Sequence, residues 1–170
     1  NGIIRPDDNI VDLGAAPGSW LQVLRDLTKG KVIGVDLNPI APLEGVTTIV
    51  GDFTDPLVQE RIRKEADGVV NVVVSDASPK LSGQKSYDQA RAIGLGEEAL
   101  AFACTILKPG GNMVIKSFQG ELFGELIAEV RKHFHSVRGY RTKATRRGSA
   151  ETYIIAKNFK GTCDGAEGPL

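Results

Sequence analysis

The stretch NIVDLGAAPGSW, residues 9–20, changes its period halfway along. Asn9–Leu13 is a short apolar run that ends at a glycine, the pattern of a buried strand. From Ser19 to Thr28, Trp20, Leu21, Leu24 and Leu27 recur at helical spacing. A buried strand that passes through a glycine turn into a helix opens a strand–helix–strand unit, and the rest of the chain repeats the alternation. KVIGVD (31–36) and VTTIV (46–50) read as strands, and Leu57–Ala66 as an amphipathic helix. GVVNVVVSD (68–76) is a near-continuous valine run, as in a strand covered on both faces.

A long helix is expected from about Tyr87 to Leu107, with Gly94 and Gly96 as candidate break points. Lys108-Pro109-Gly110-Gly111 reads as a turn, NMVIKS (112–117) as a strand and Leu122–Phe134 as a helix with Leu122, Leu126, Ile127 and Val130 on one side. ETYIIAKNF (151–159) alternates like a last strand. Such alternation predicts an α/β fold, a mostly parallel sheet with helices on both faces. Ligands of such sheets bind outside the carboxyl ends of the strands. Gly14, Asp36, Asp52, Asp76 and Lys116, which end strands, are therefore the first places to look for function.

Composition narrows the classes. The chain has 170 residues, 41% of them hydrophobic, with 21 basic and 21 acidic side chains. That is one domain of ordinary size, expected over residues 1–160, with residues 161–170 a fraying tail. Balanced charge excludes a basic tail or an acidic disordered chain as a description of the whole molecule. No apolar run is long enough to span a bilayer, and the start does not read as a signal peptide. Two cysteines, Cys104 and Cys163, make neither a disulfide scaffold nor a four-ligand zinc site, which fits a reduced, cytoplasmic setting. Cys104 is expected in the core. His133 and His135 are expected as helix-end and surface residues, and no metal site is expected.

The glycine turn limits the ligand. Gly14 permits the tight turn and Gly18 a close approach of ligand to backbone N–H groups. Asp36 ends the next strand 22 positions after Gly14, where a carboxylate can accept the hydroxyls of a ribose. Asp52 follows the third strand, within reach of an adenine edge. The glycine spacing is G-x-x-x-G and no Walker lysine is present, so the turn suits a nucleoside without a pyrophosphate. S-adenosylmethionine (SAM) is such a molecule. The plain alternative is a tight turn with a solvent-facing aspartate.

Six blocks now carry a resemblance: VDLGAAPGSW (11–20), GVDL (34–37), GDFTD (51–55), VVSDASPKLSG (73–83), LKPGGNMVIKSFQG (107–120) and RGSAETYIIAKNF (147–159). In these blocks, which span nearly the whole chain, the sequence resembles the FtsJ (RrmJ) family of SAM-dependent RNA ribose 2′-O-methyltransferases. The resemblance implies a Rossmann-like sheet of seven strands with an antiparallel last strand. It implies cofactor contacts at Gly18, Trp20, Asp36, Asp52 and Asp76, to which the reading of the turn adds Gly14. Trp20 is also the first apolar residue of a helix, and core packing remains open for it. It further implies that Lys116 is the general base, with Asp76 and Glu151 orienting it and the ribose. Large-subunit ribosomal RNA is the implied substrate, and transfer RNA the alternative on the same fold.

The residue types give this reading physical content. Asp76, Lys116 and Glu151 each adjoin an apolar strand, where a charge is costly unless paired or used. An antiparallel last strand would start at the sheet edge where the others end, bringing the three together. Transfer of a sulfonium methyl group already has a good leaving group, so the protein must supply position and remove the hydroxyl proton. A lysine titrates at about 10.4, and carboxylates beside it raise that value, so a neutral Lys116 needs an opposing influence. The family supplies a further lysine from a helix before the first strand. Residues 1–9 contain no lysine, and the start at Asn1 reads as a trimmed end. A structural salt bridge between Lys116 and Glu151 is the bland alternative.

RGYRTKATRR (138–147) holds five basic residues and no acid. Arg138, Arg141, Lys143, Arg146 and Arg147 suit a phosphate backbone, with Tyr140 as a stacking partner. Lys80 and Lys85 could extend the patch. A solvated loop is the alternative. The rivals to an RNA methyltransferase are a non-catalytic SAM-binding RNA module and a nicotinamide-dependent oxidoreductase. The molecule is expected to be a monomer.

Overall fold

The computed structural model describes residues 2–141 and 151–161. Lys143, Arg146, Arg147, Cys163 and most of the expected tail lie outside the described residues. The elements run β1 (Ile10–Leu13), α1 (Ser19–Leu27), β2 (Val32–Asp36), β3 (Val46–Val50), α2 (Pro56–Glu65), β4 (Val70–Ser75), α3 (Lys85–Ile106), β5 (Leu107–Phe118), α4 (Phe123–His133), β6 (Phe134–Tyr140) and β7 (Glu151–Phe159). The strands form one seven-stranded sheet in the order β3-β2-β1-β4-β5-β7-β6. β7 alone runs against its neighbours, antiparallel to both β5 and β6. This is the mostly parallel sheet that the alternation predicts, with the antiparallel last strand that the resemblance implies.

Residue alternation along each strand sorts the core into two layers. Val11, Leu13, Ile33, Val35 and Val73 face α2, α3 and α4, which contribute Ile62, Phe102, Ile106, Leu126 and Val130. Ile10, Val32, Val72 and Val74 face α1, with Leu21 and Leu24 as the buried helix residues. Leu27 is half exposed, so the apolar spacing of α1 runs one residue past the part that the sheet covers. The order of the strands brings the carboxyl ends of β2, β1, β4 and β5 side by side.

Four local readings need correction. α3 is continuous through Gly94 and Gly96. A Cβ on Gly96 would lie 2.9 Å from Leu126 Cδ2, so that glycine serves the close packing of α3 on α4 and does not break the helix. Lys108–Gly111 is no separate turn but the start of β5, where the pairing jumps from Val70–Leu107 to Val72–Asn112 and absorbs the extra residues as a bulge. Phe134–Tyr140 is a strand that the apolar pattern does not reveal. Finally, His133 is buried, not at the surface, because α4 ends where the chain turns into the sheet. Its carbonyl accepts from Lys160 N–H, and its Nε2 lies 3.6 Å from Glu129. Cys104 is partly buried against the main core cluster, in line with expectation.

Candidate active site

The turn after β1 is built by backbone and by one carboxylate. Gly14 and Ala15 N–H both donate to Val35 C=O, at 2.9 and 3.0 Å. Asp36 Oδ2 accepts from Ala16 N–H at 2.9 Å, and its Oδ1 accepts from Asn38 N–H at 2.8 Å. Asp36 therefore fixes the glycine turn, and each of its oxygens keeps a lone pair for a ligand hydroxyl. Gly14 has φ +74°, and a Cβ there would sit 2.6 Å from the backbone of Ala77. Replacing Gly14 with alanine combines a left-handed backbone with a backbone clash, so urea unfolding should show a loss of about 2–4 kcal/mol.

Gly18, at φ +117°, is the N-cap of α1, and no side chain caps that helix. Its backbone N–H groups are then offered to whatever lies over the turn. Asp52 sits two residues beyond the end of β3 and is exposed. Its Oδ1 accepts from Thr54 N–H and Oγ1, at 2.9 and 2.7 Å.

Trp20 is half-buried and packs against the α1-side core cluster that holds Leu21 and Leu24. Its ring centroid lies 5.7 Å from that of Tyr153. Both line an apolar groove of about 520 Å³ with Ile3, Val23, Val114 and Tyr140 among its walls. The sequence left Trp20 between core and ligand; the structure packs it against the core cluster and also has it line this groove.

Asp76, Lys116 and Glu151 meet as the topology requires. Asp76 follows β4, and its N–H donates to Leu13 C=O at the end of β1. Lys116 of β5 stands opposite Tyr153 of β7, and Phe118 stands opposite Glu151. Glu151 is thus the diagonal neighbour of Lys116 on one sheet face, within reach of a long side chain. The Lys116 amine lies 3.2 Å from Asp76 Oδ1 and 3.3 Å from Glu151 Oε1. The Lys116 side chain is 15% exposed, that of Asp76 27% and that of Glu151 35%, so Lys116 is the most buried of the three. Burial raises the Asp76 carboxyl above its ordinary range; Lys116 opposes this and Glu151 adds to it. Tyr153 is pushed up to about 12 by burial, with the Asp76 and Glu151 charges adding.

The loop after Asp76 is tied down from α3. Asp88 accepts from Ser82 N–H and Oγ and from Gly83 N–H, while Arg91 donates to Lys80 C=O. Lys80 and Lys85 are exposed on this loop and at the helix start. Of the basic run, Arg138 lies in β6 and Arg141 just after it, both exposed. Arg138 pairs with Ile155 and Tyr140 with Tyr153, so Arg138 and Tyr140 share the sheet face of Lys116 and Tyr153.

The sequence reading missed Asp12. It occupies the middle of β1, is 0% exposed, and neither carboxyl oxygen has a hydrogen-bond partner among the described residues. Burial, with Asp76 and Asp36 adding, raises its carboxyl to about 8. Three acids thus cluster across β2, β1 and β4 beneath the glycine turn. An orphaned acid and a carboxylate that orders the turn suit the cationic groups of a nucleoside, and the uncapped helix start suits an anionic group such as a carboxylate. SAM carries both a sulfonium and an ammonium group.

Comparison with known proteins agrees with this geometry. Residues 1–159 match the model of the FtsJ-like methyltransferase family. The chain is 92% identical over 170 residues to the ribosomal RNA large subunit methyltransferase E of Methanoculleus marisnigri, covering 100% of this chain and 84% of that protein. It is 69% identical over 159 residues to the protein of the same name from Methanoregula boonei, covering 94% and 82%. A crystal structure described as a ribosomal RNA methyltransferase from Plasmodium falciparum superposes with a TM-score of 0.83 at 25% identity, covering 93% of this chain and 90% of that one. The chain belongs to the FtsJ-like family of SAM-dependent methyltransferases.

Proposed function

We propose that this methyltransferase moves the methyl group of SAM to a ribose 2′-hydroxyl of large-subunit ribosomal RNA. The observation that carries this reading is the Lys116 amine held between Asp76 and Glu151, at 3.2 and 3.3 Å, beside the glycine turn. Gly14, Gly18 and Asp36 shape the cofactor's seat, with Asp52, Trp20 and Asp76 at its borders. Bound SAM supplies an activated methyl group. Lys116 accepts the proton of the attacking hydroxyl, and Asp76 and Glu151 aim the amine and hold it in place. No step in this scheme requires a metal ion.

Arg138 and Arg141, together with Lys143, Arg146 and Arg147, supply the contacts to the RNA backbone. Replacing Arg146 and Arg147 with alanine is expected to weaken RNA binding and to lower the slope of log affinity against log salt by about 1–2. An unchanged slope would leave that segment as a solvated loop. The protein acts on this reading as a monomer in the cytoplasm. No helix among the described residues is long and apolar enough to cross a membrane.

The test mixes methyl-labelled SAM with large ribosomal subunits, free ribosomal RNA and transfer RNA, then maps the labelled nucleotide. Label on a ribose of ribosomal RNA supports the proposal. Label on transfer RNA moves the substrate to the alternative, and SAM binding without any label favours a non-catalytic RNA module.

A further inference from the structure

Unlike the buried Asp8, which accepts from Arg5 N–H, Asp12 is a buried acid with no hydrogen-bond partner among the described residues, and the site described above gives it no task. Its carboxyl is fully enclosed, both oxygens lack donors among the described residues, and it stands at mid-strand among apolar neighbours. The alternation of β1 places it on the α1 side of the sheet, with Val74 beside it in register on β4 and Gly34 on β2. The charged groups that bear on it from the neighbouring elements are Asp76 after β4 and Asp36 at the end of β2, both acids. Beyond Asp76 lie Lys116 of β5 and Glu151 of β7. The buried residues of α1, Leu21 and Leu24, bring no charge. A carboxylate so placed has neither a counter-ion nor a donor, which is the costliest state for a charge in a protein interior.

We infer that Asp12 carries a proton in the free protein and loses it when a cationic cofactor binds over the glycine turn. Binding is then coupled to release of one proton from Asp12 to solvent. The inference rests on the SAM reading above and deepens it. The balance is simple: the ligand brings positive charge, the Asp12 O–H bond breaks, the electron pair stays on the carboxylate, and the proton goes to buffer. Burial supports this direction, since it holds the Asp12 carboxyl at about 8 and therefore mostly neutral at pH 7.

Calorimetric titration with S-adenosylmethionine and S-adenosylhomocysteine at pH 7, in buffers of different ionisation enthalpy, counts the protons released. We expect close to one proton per S-adenosylmethionine for the native chain, fewer for S-adenosylhomocysteine, which lacks the sulfonium charge, and close to none with either for Asp12→Asn, which keeps the shape of the side chain. A second readout needs no variant. Native affinity should rise about tenfold per pH unit between pH 6 and pH 7, because the proton must leave before the complex is complete. Binding without proton release and with flat pH dependence overturns the inference while the cofactor reading stands. Equal proton release from the native chain and Asp12→Asn also overturns it. No binding of either compound overturns the cofactor reading itself, and the inference falls with it.

Discussion

Replacing Lys116 with alanine is expected to lower methyl transfer to RNA by about a thousandfold, the usual worth of a positioned general base, while cofactor binding persists. The same variant removes the only cation within ion-pair distance of Asp76 among the described residues, so lost activity alone does not separate a base from a salt bridge. Lys116→Arg does. A guanidinium keeps the positive charge between Asp76 and Glu151 and donates to both, yet cannot be deprotonated in a protein. If Lys116 acts only as a structural cation, the arginine variant retains most of the activity. If it accepts the hydroxyl proton, the arginine variant folds with near-native stability and is as inactive as the alanine variant. Thermal unfolding and labelled methyl transfer, measured on both variants, decide between the roles.

The three charged residues were legible because each interrupts or adjoins an apolar strand, and the sheet rules then bring strand ends together. Asp76 stops a valine run and Lys116 follows Met113-Val114-Ile115. Glu151 needed more, namely the antiparallel direction of β7, which came from resemblance and not from the pattern of the strand. β6 was invisible for a physical reason. It is an edge strand, only Phe134 of its seven residues is buried, and its end is basic, so it looks like a loop. Gly96 misled because a glycine that lets α4 approach α3 looks the same in sequence as one that ends a helix. Asp12 was missed although its signal was present. An acid in the fourth position of NIVDL, inside a strand buried on both faces, is as anomalous as Lys116, but the short strand made it look like a strand end.

That anomaly predicts the sign of a stability change. The folded state holds the Asp12 proton up to about pH 8, whereas an unfolded carboxyl releases it near 3.8. Below about pH 4 both states are protonated and Asp12 is neutral in each. As pH rises from there toward 8, the unfolded state gains by ionising and the folded state does not, so the folding free energy falls by about 1.4 kcal/mol per pH unit. Above about 8 the folded carboxyl ionises too, and the loss levels off. Asp12→Asn has no proton to exchange and escapes the whole effect. Urea unfolding of the two proteins should therefore diverge with pH, the variant gaining roughly 3 kcal/mol on the native chain between pH 5 and pH 7.5. Asp88 and Glu129, whose carboxyls are held low by Ser82 and by Lys132, act in the opposite sense at acid pH but are common to both proteins and cancel in the difference. Parallel curves would show that Asp12 is solvated or paired in solution. The expected divergence is a large share of the stability of a domain this size. A residue that costs so much at neutral pH, where asparagine would fit the same space, is explained by what it does when ligand is present. The variant that gains stability should therefore be the one that loses proton-linked cofactor binding.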